Sequence, residues 1–356
     1  MTKSRSPPGM IVRQKQPVNL EMPFRTLDGF ITPNQRFYVR CHFPVPTIDL
    51  KAWRLTIEGA VAKPFALGYA ELLRMQSRTV SATLECAGNS RAFLQPRVKG
   101  VQWELGAVGN AAWTGVPLTA VLERAQMQAS AMDVIFEGTD QGEIEESPHP
   151  AGRIHYARSI PRGKALADVL LAYQMNGEAL SPAHGFPVRV IVPGWYGMAS
   201  VKWLARIVVS DRPFPGYFQS IHYAYWERRG GLPALVPITE LQVKAEIARP
   251  HRDEVMPAGA KYRLHGAAWT SDAGIAQVDI SDDRGATWRP AKLLGKSVPN
   301  AWQRWEHEWQ TPAVPGQRTL LARATDSRGR QQPDQHEPDF GGYLVNHCLP
   351  ITVEVR

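Results

Sequence analysis

From about residue 240 to the C-terminus the chain repeats one pattern, short β-branched runs separated by turns, and this texture excludes a helical bundle. The runs are LQVKAEI, YRLHGAAW, AQVDISDD, TLLARATD and ITVEVR, and DDRG (Asp282–Gly285) and DSRG (Asp326–Gly329) read as hairpin-like turns. Many short strands over roughly 115 residues without a convincing helix predict an immunoglobulin-like β-sandwich. WQRWEHEW (Trp302–Trp309) reads as core and interface packing of that sandwich. The segment RRGGLPALVP (Arg228–Pro237) reads as a joint, so the sandwich domain is placed at residues 236–356. A length of 356 residues agrees with two domains.

Before the joint the pattern is mixed. Residues 1–35 are polar and punctuated by proline, an extended arm with Phe24 and Phe30 as anchors. Over residues 36–235 strand signals alternate with two short helices. WRLTIEG (Trp53–Gly59) alternates apolar and polar, and TVSATLECAG (Thr79–Gly88) is a strand running into a loop. VIFEG, VLLAYQMNG, VRVIVPG and VKWLARIVVS are further strand-like runs, and FYVRCHFP is extended until Pro44 and Pro46 stop it. Leu67–Met75 and Pro117–Gln126 read as helices, the second with a proline near its start, where a missing N–H costs little. The fold class predicted for the whole chain is α+β.

Several function classes fall away. No apolar run approaches the roughly 20 residues of a membrane helix, so no span is expected. The 41 basic against 33 acidic residues leave a net charge of +8, which attracts anions. There is no Lys/Arg block and no nucleic-acid motif, so small oxyanions fit and nucleic acid does not; a charge kept for solubility is the bland alternative. Three cysteines without a CxxC or zinc-type spacing argue against a disulfide framework. The N-terminus has no apolar leader core, and the paired arginines Arg228 and Arg229 lie far from it. The chain therefore reads as cytoplasmic, or periplasmic if a leader has been removed.

Three clusters carry candidate chemistry. In SATLECAGNSR (Ser81–Arg91) a strand ends at Cys86, small turn residues follow, and Arg91 offers positive charge that would favour a thiolate. A buried core cysteine beside a turn is the alternative. In HGFPVRVIVPGWYGMASVKWL (His184–Leu204), His184 and Arg189 are donors, and Gly194 and Gly197 permit close backbone approach. Strand alternation would place Ser200 and Lys202 on one face, and together these groups could hold a phosphate. RCH (Arg40–His42) adds two more donors.

FYVRCHFPVP, TLECAGNSR, VKGVQW, FEGTD, LLAYQMNG, HGFPVRV and SVKWL, in this order, resemble the sulfite oxidase family of molybdenum enzymes. The resemblance covers roughly residues 20–356. It implies a mixed α+β domain holding molybdenum and one molybdopterin, followed by an immunoglobulin-like dimerisation domain and hence a homodimer. It places the metal-binding cysteine at Cys86, and a soft thiolate suits a metal that shuttles two electrons. It also implies cofactor contacts at Tyr38, Val39, Arg40, Cys41, His42, Asp140, His184, Arg189, Ser200, Val201 and Lys202. Cys41 is then pocket lining and Cys348 core. Arg40, Arg91, Trp103 and Tyr223 match residues around the oxyanion, and Lys99 a nearby basic residue.

Two departures bear on substrate. Ser90 stands where animal enzymes have the first of two arginines, and Gly341 where they have one from the sandwich domain. The implied activity is oxidation of sulfite to sulfate. Nitrate or S-oxide reduction on the same cofactor, or a cofactor-free dimeric binding protein, are the alternatives. No CxxCH is present and only the arm precedes residue 36, so no haem domain is expected and electrons pass to a separate acceptor. The acidic run EIEES (Glu143–Ser147) reads as a solvated loop.

Overall fold

A computed structural model describes residues 9–356. In the first half the arm does more than extend. Its strands Ile11–Gln14 and Asn19–Glu21 form an antiparallel sheet with Val39–Arg40, which sets Arg40 opposite Asn19. Phe24 is buried and Phe30 packs on the same core.

Two five-stranded sheets follow. One runs Glu178–Ala179, Leu170–Met175, Val108–Pro117, Arg78–Glu85, with Arg189–Ile191 also pairing with Leu170–Met175. The other runs Phe65–Gly68, Arg54–Gly59, Leu204–Ser210, Asp133–Gly142, Ile154–Pro161. In it Leu204–Ser210 lies parallel to Arg54–Gly59 while its other neighbour is antiparallel. Alternation decides which side chains enter the core: Leu55, Ile57, Val134, Phe136, Ile207 and Val209 all point inward. The helix Leu118–Ala125 closes over them with Leu118, Val121, Leu122 and Ala125, the i, i+3, i+4, i+7 positions.

The predicted helix at Leu67–Met75 is shorter. Leu67 and Gly68 complete a strand, and the helix covers Tyr69–Arg74. Two further α-helices, Arg162–Ala165 and Tyr217–Ser220, are single turns that the sequence did not announce, and the first half is otherwise mostly strand. The Gly/Pro-rich joint is also more ordered than its composition implied. Ala224–Arg229 and Leu232–Pro237 pair as a hairpin, with Gly230 and Gly231 supplying positive φ at its turn.

The second half is two sheets around one core. The first runs Lys244–Arg249, Lys261–Trp269, Gln303–Gln310, Lys292–Leu294. The second runs Val255–Met256, Ile351–Val355, Gly316–Asp326, Ile275–Ser281, Arg289–Pro290. Ile247, Leu264 and Trp305 from the first meet Val278, Leu320 and Val353 from the second. Trp302, Trp305 and Trp309 are all buried within the chain, so the indoles of this run pack core while its other face, with Glu308, is polar and exposed. Among the described residues no helix is long and apolar enough to cross a membrane.

Candidate active site

The strand Arg78–Glu85 pairs along its whole length with Val108–Pro117 and stops at Glu85. The backbone then turns. Cys86 N–H donates to Ala107 O at 2.9 Å, Asn89 N–H donates to Cys86 O at 2.8 Å, and Ser90 takes a left-handed φ of 70°. Gly88 leaves room for the Arg91 guanidinium: a Cβ there would stand 2.5 Å from it. Arg91 is buried in this turn. It donates to Gly342 O at 2.8 Å and Val101 O at 3.2 Å and lies over the Tyr343 ring, tying the turn to the second half.

Cys86 faces a pocket that opens to solvent. The segment Tyr38–His42 brings Tyr38, Arg40, Cys41 and His42 to it, and Asp140 and Tyr223 line it as well. His184, Arg189, Ser200 and Lys202 complete it. Ser200 and Lys202 arrive there without strand alternation: a single 3-10 turn, Gly197–Ala199, precedes them and Trp203 has a φ of 50°. A Cβ on Gly197 would lie 2.5 Å from Tyr38 Oη, so the glycine keeps this wall open. Gly194 instead approaches Asn300 of the second half.

Other expected site residues stand apart from the pocket surface. Val39 and Val201 are wall residues, buried behind it. Trp103 is fully buried in the apolar cluster that includes Cys86, with its Nε1–H unpartnered. Lys99 is not brought to the pocket at all. Its side chain is 87% exposed and pairs with Glu146 at 3.1 Å, because the Val98–Gly100 loop turns outward and water solvates an ammonium better than a crowded wall does. Glu146 makes EIEES half of an ion pair as well as a solvated loop. Cys348 is buried ahead of the last strand, and burial pushes its thiol up to about 12.

The pocket is strongly cationic. Arg40, Arg189 and Lys202 converge on it, with Asp140 the only carboxylate among its lining. Arg189 lies over Trp113 and donates to His184 O and Ser200 O, while its Nε has no partner. Lys202 donates to Ala183 O at 2.9 Å and Cys41 Sγ at 3.1 Å. Arg40 donates to Asn19 Oδ1 and Cys41 O. Burial, reinforced by Arg189 and Lys202, lowers His184 to about 3, and burial with Arg40 holds His42 well below its usual value, so both imidazoles are neutral at pH 7. Burial raises Asp140 to about 7 against the pull of Lys202, and its Oδ1 has no partner. Burial also raises the Cys86 thiol, with Arg40 opposing. Tyr223 Oη lies 2.8 Å from His42 Nε2, and His42 stacks on Tyr156.

These groups fit an anionic cofactor with a soft metal. The cations outnumber the carboxylate, unpartnered polar atoms on Asp140 and Arg189 await a ligand, and a thiol stands at a strand end. Known proteins agree. A family model described as the oxidoreductase molybdopterin binding domain matches residues 42–218, and one for the Mo-co oxidoreductase dimerisation domain matches residues 236–355. The sulfite oxidase of Gallus gallus is 36% identical over 353 residues, covering 93% of this chain and 74% of that one.

The chain belongs to the sulfite oxidase family.

This family member is a molybdenum-cofactor oxidoreductase. The mitochondrial sulfite oxidase of Homo sapiens is 35% identical over 98% of the chain, which spans 66% of that protein. A nitrate reductase of Lotus japonicus is 34% identical, and the chain spans 40% of it. Among solved structures, the sulfane dehydrogenase SoxCD of Paracoccus pantotrophus superposes with a TM-score of 0.80 at 26% identity, covering 99% of this chain and 86% of that one. The sequence of this family member did not point to Asn19, Tyr156 or Tyr343 as neighbours of the site. Asn19 reaches Arg40 only through pairing of the arm sheet, and Tyr343 reaches Arg91 only across the two halves, so neither carries a local signal.

Proposed function

We propose that the chain oxidises sulfite to sulfate and passes two electrons to a separate acceptor. The reaction takes sulfite and water to sulfate, two protons and two electrons. When bound, the molybdenum cofactor supplies the two-electron redox chemistry. Cys86 Sγ is the protein's ligand to the metal, and Arg189, Lys202, Ser200 and the neutral His184 hold the pterin's phosphate by charge and hydrogen bonding. Arg40 orients the oxyanion through its planar fork, with Arg91 adding positive potential from behind the turn. Tyr223 Oη and His42 Nε2 lie 2.8 Å apart at the pocket wall, and the Tyr223 hydroxyl, which stays protonated, can hydrogen-bond the substrate oxyanion.

Residues 36–235 are read as the molybdopterin-binding domain. Residues 236–356 are read as an immunoglobulin-like domain through which two copies associate. The observation that carries the proposal is the convergence of Cys86 with three cations, Arg40, Arg189 and Lys202, in one pocket. Purified enzyme should reduce ferricyanide on addition of sulfite. Nitrate reduction from a reduced dye, with no sulfite-dependent reaction, would replace this reading with the nitrate one.

A further inference from the structure

The turn that carries Cys86 is gripped from the second half of the chain by a buried charged cluster. Glu85 precedes the cysteine, and Asn89 and Ser90 follow it. Glu85 Oε1 accepts from Asn89 Nδ2 and from Lys244 Nζ, each at 3.1 Å, and Oε2 accepts from Trp269 Nε1 at 2.8 Å. Lys244 Nζ also donates to Ser90 Oγ at 2.9 Å and lies 3.2 Å from Glu246 Oε1. Ser90 Oγ in turn donates to Glu246 at 3.3 Å, and Asn89 Oδ1 accepts from Ala107 N at 3.0 Å. The side chains of Lys244, Glu85 and Glu246 are 1%, 2% and 3% exposed.

An ammonium has three N–H donors; two donate to Glu85 and Ser90, and Glu246 stands at ion-pair distance to balance the charge. Burying such a cluster is costly, and well-packed apolar residues in its place often leave a protein equally stable, so stability does not explain it. A fully satisfied polar network instead specifies one arrangement. Lys244 and Trp269 face each other across the first rungs of the Lys244–Arg249 and Lys261–Trp269 ladder, a rigid edge pressed on the cysteine turn. Metal ligands need such outer support to hold their direction.

We propose that Lys244 is a positioning residue: through Glu85 and Ser90 it fixes the backbone from which the Cys86 thiolate meets the metal, so the second half of the chain sets the geometry of the cofactor site. The metal part of this statement rests on the proposed role of Cys86; the clamp itself does not. The full-length chain carrying Lys244→Met, Lys244→Arg or Trp269→Phe separates the two. In the cofactor-free protein, Lys244→Met should speed amide exchange over residues 85–91 by about tenfold or more, because the turn opens locally. In cofactor-loaded protein of parental pterin content, the same variant should lower the molybdenum-to-pterin ratio, a readout that a purely structural role would leave unchanged. Lys244→Arg should recover most of both properties. Trp269→Phe, which removes one N–H donor from Glu85, should move both in the same direction by less, and it carries the test if Lys244→Met does not fold. Parental exchange and a parental metal-to-pterin ratio in a folded variant would overturn the proposal. Absence of molybdenum from the parent enzyme would overturn its metal part alone.

Discussion

At the residue scale the pocket separates cations that act on a ligand from cations that serve the surface. Arg40 lines the pocket and Lys99 does not, although both were read as substrate groups from the sequence. Arg40→Gln should therefore lower kcat/KM for sulfite by about 10- to 100-fold, the 1.5–3 kcal/mol of a charged hydrogen bond. Lys99→Gln should stay within about twofold, as an exposed ion pair contributes little. Steady-state kinetics on the two variants checks the contrast. Asp140 gives a second residue-scale test. Its folded value of about 7 lies above the usual carboxyl value, so the folded chain binds that proton more tightly than the unfolded one. Its contribution to stability is fully present below about pH 4 and is lost as pH rises through 7. Cofactor-free Asp140→Asn should gain stability over the parent above pH 7, by up to about 4 kcal/mol, and the gain should vanish near pH 4. Denaturant titrations at the two pH values measure it, and an equal gain at both would contradict it. Chemical type, then, was legible where a motif is local, as at Cys86, Asp140 or Arg189. Exposure was not, because whether Lys99 faces water depends on how its loop leaves the Arg91 turn.

At the element scale alternation was the most readable signal. Each strand expected in the second half is present, and WQRWEHEW forms the strand Gln303–Gln310 with Trp305 and Trp309 inward. Trp305→Ala should cost about 3–5 kcal/mol in a thermal or denaturant melt, since a wholly buried indole leaves a cavity. A loss under 1 kcal/mol would mean the two sheets do not share that core. Composition marked a joint at Arg228–Pro237 but did not announce its form: Ala224–Arg229 and Leu232–Pro237 pair as a hairpin about Gly230 and Gly231. LQVKAEI read as a short strand and forms one, but Lys244–Ala248 is buried on both faces, with Lys244 and Glu246 directed at a turn over 150 residues earlier. No local pattern announces a buried lysine whose partner comes from another sheet.

At the scale of the whole molecule, the first half lines the site and the second half backs the turn that carries its cysteine. The first half supplies the thiol and the cations, and the second supplies Lys244, Trp269 and the Gly342 carbonyl that holds Arg91. With the dimerisation-domain match over residues 236–355, the intact protein should sediment as a two-fold dimer at micromolar concentration, and a monomer there would refute the assembly. The central claim is that the Cys86 thiol holds molybdenum for sulfite oxidation, and one paired measurement tests it most directly: molybdenum content and sulfite-dependent ferricyanide reduction of the parent enzyme and of Cys86→Ser, each produced with the cofactor available. The account predicts a molybdenum-containing, active parent and a Cys86→Ser variant that keeps its pterin and loses turnover. Full activity in Cys86→Ser, or a parent free of molybdenum, would contradict it.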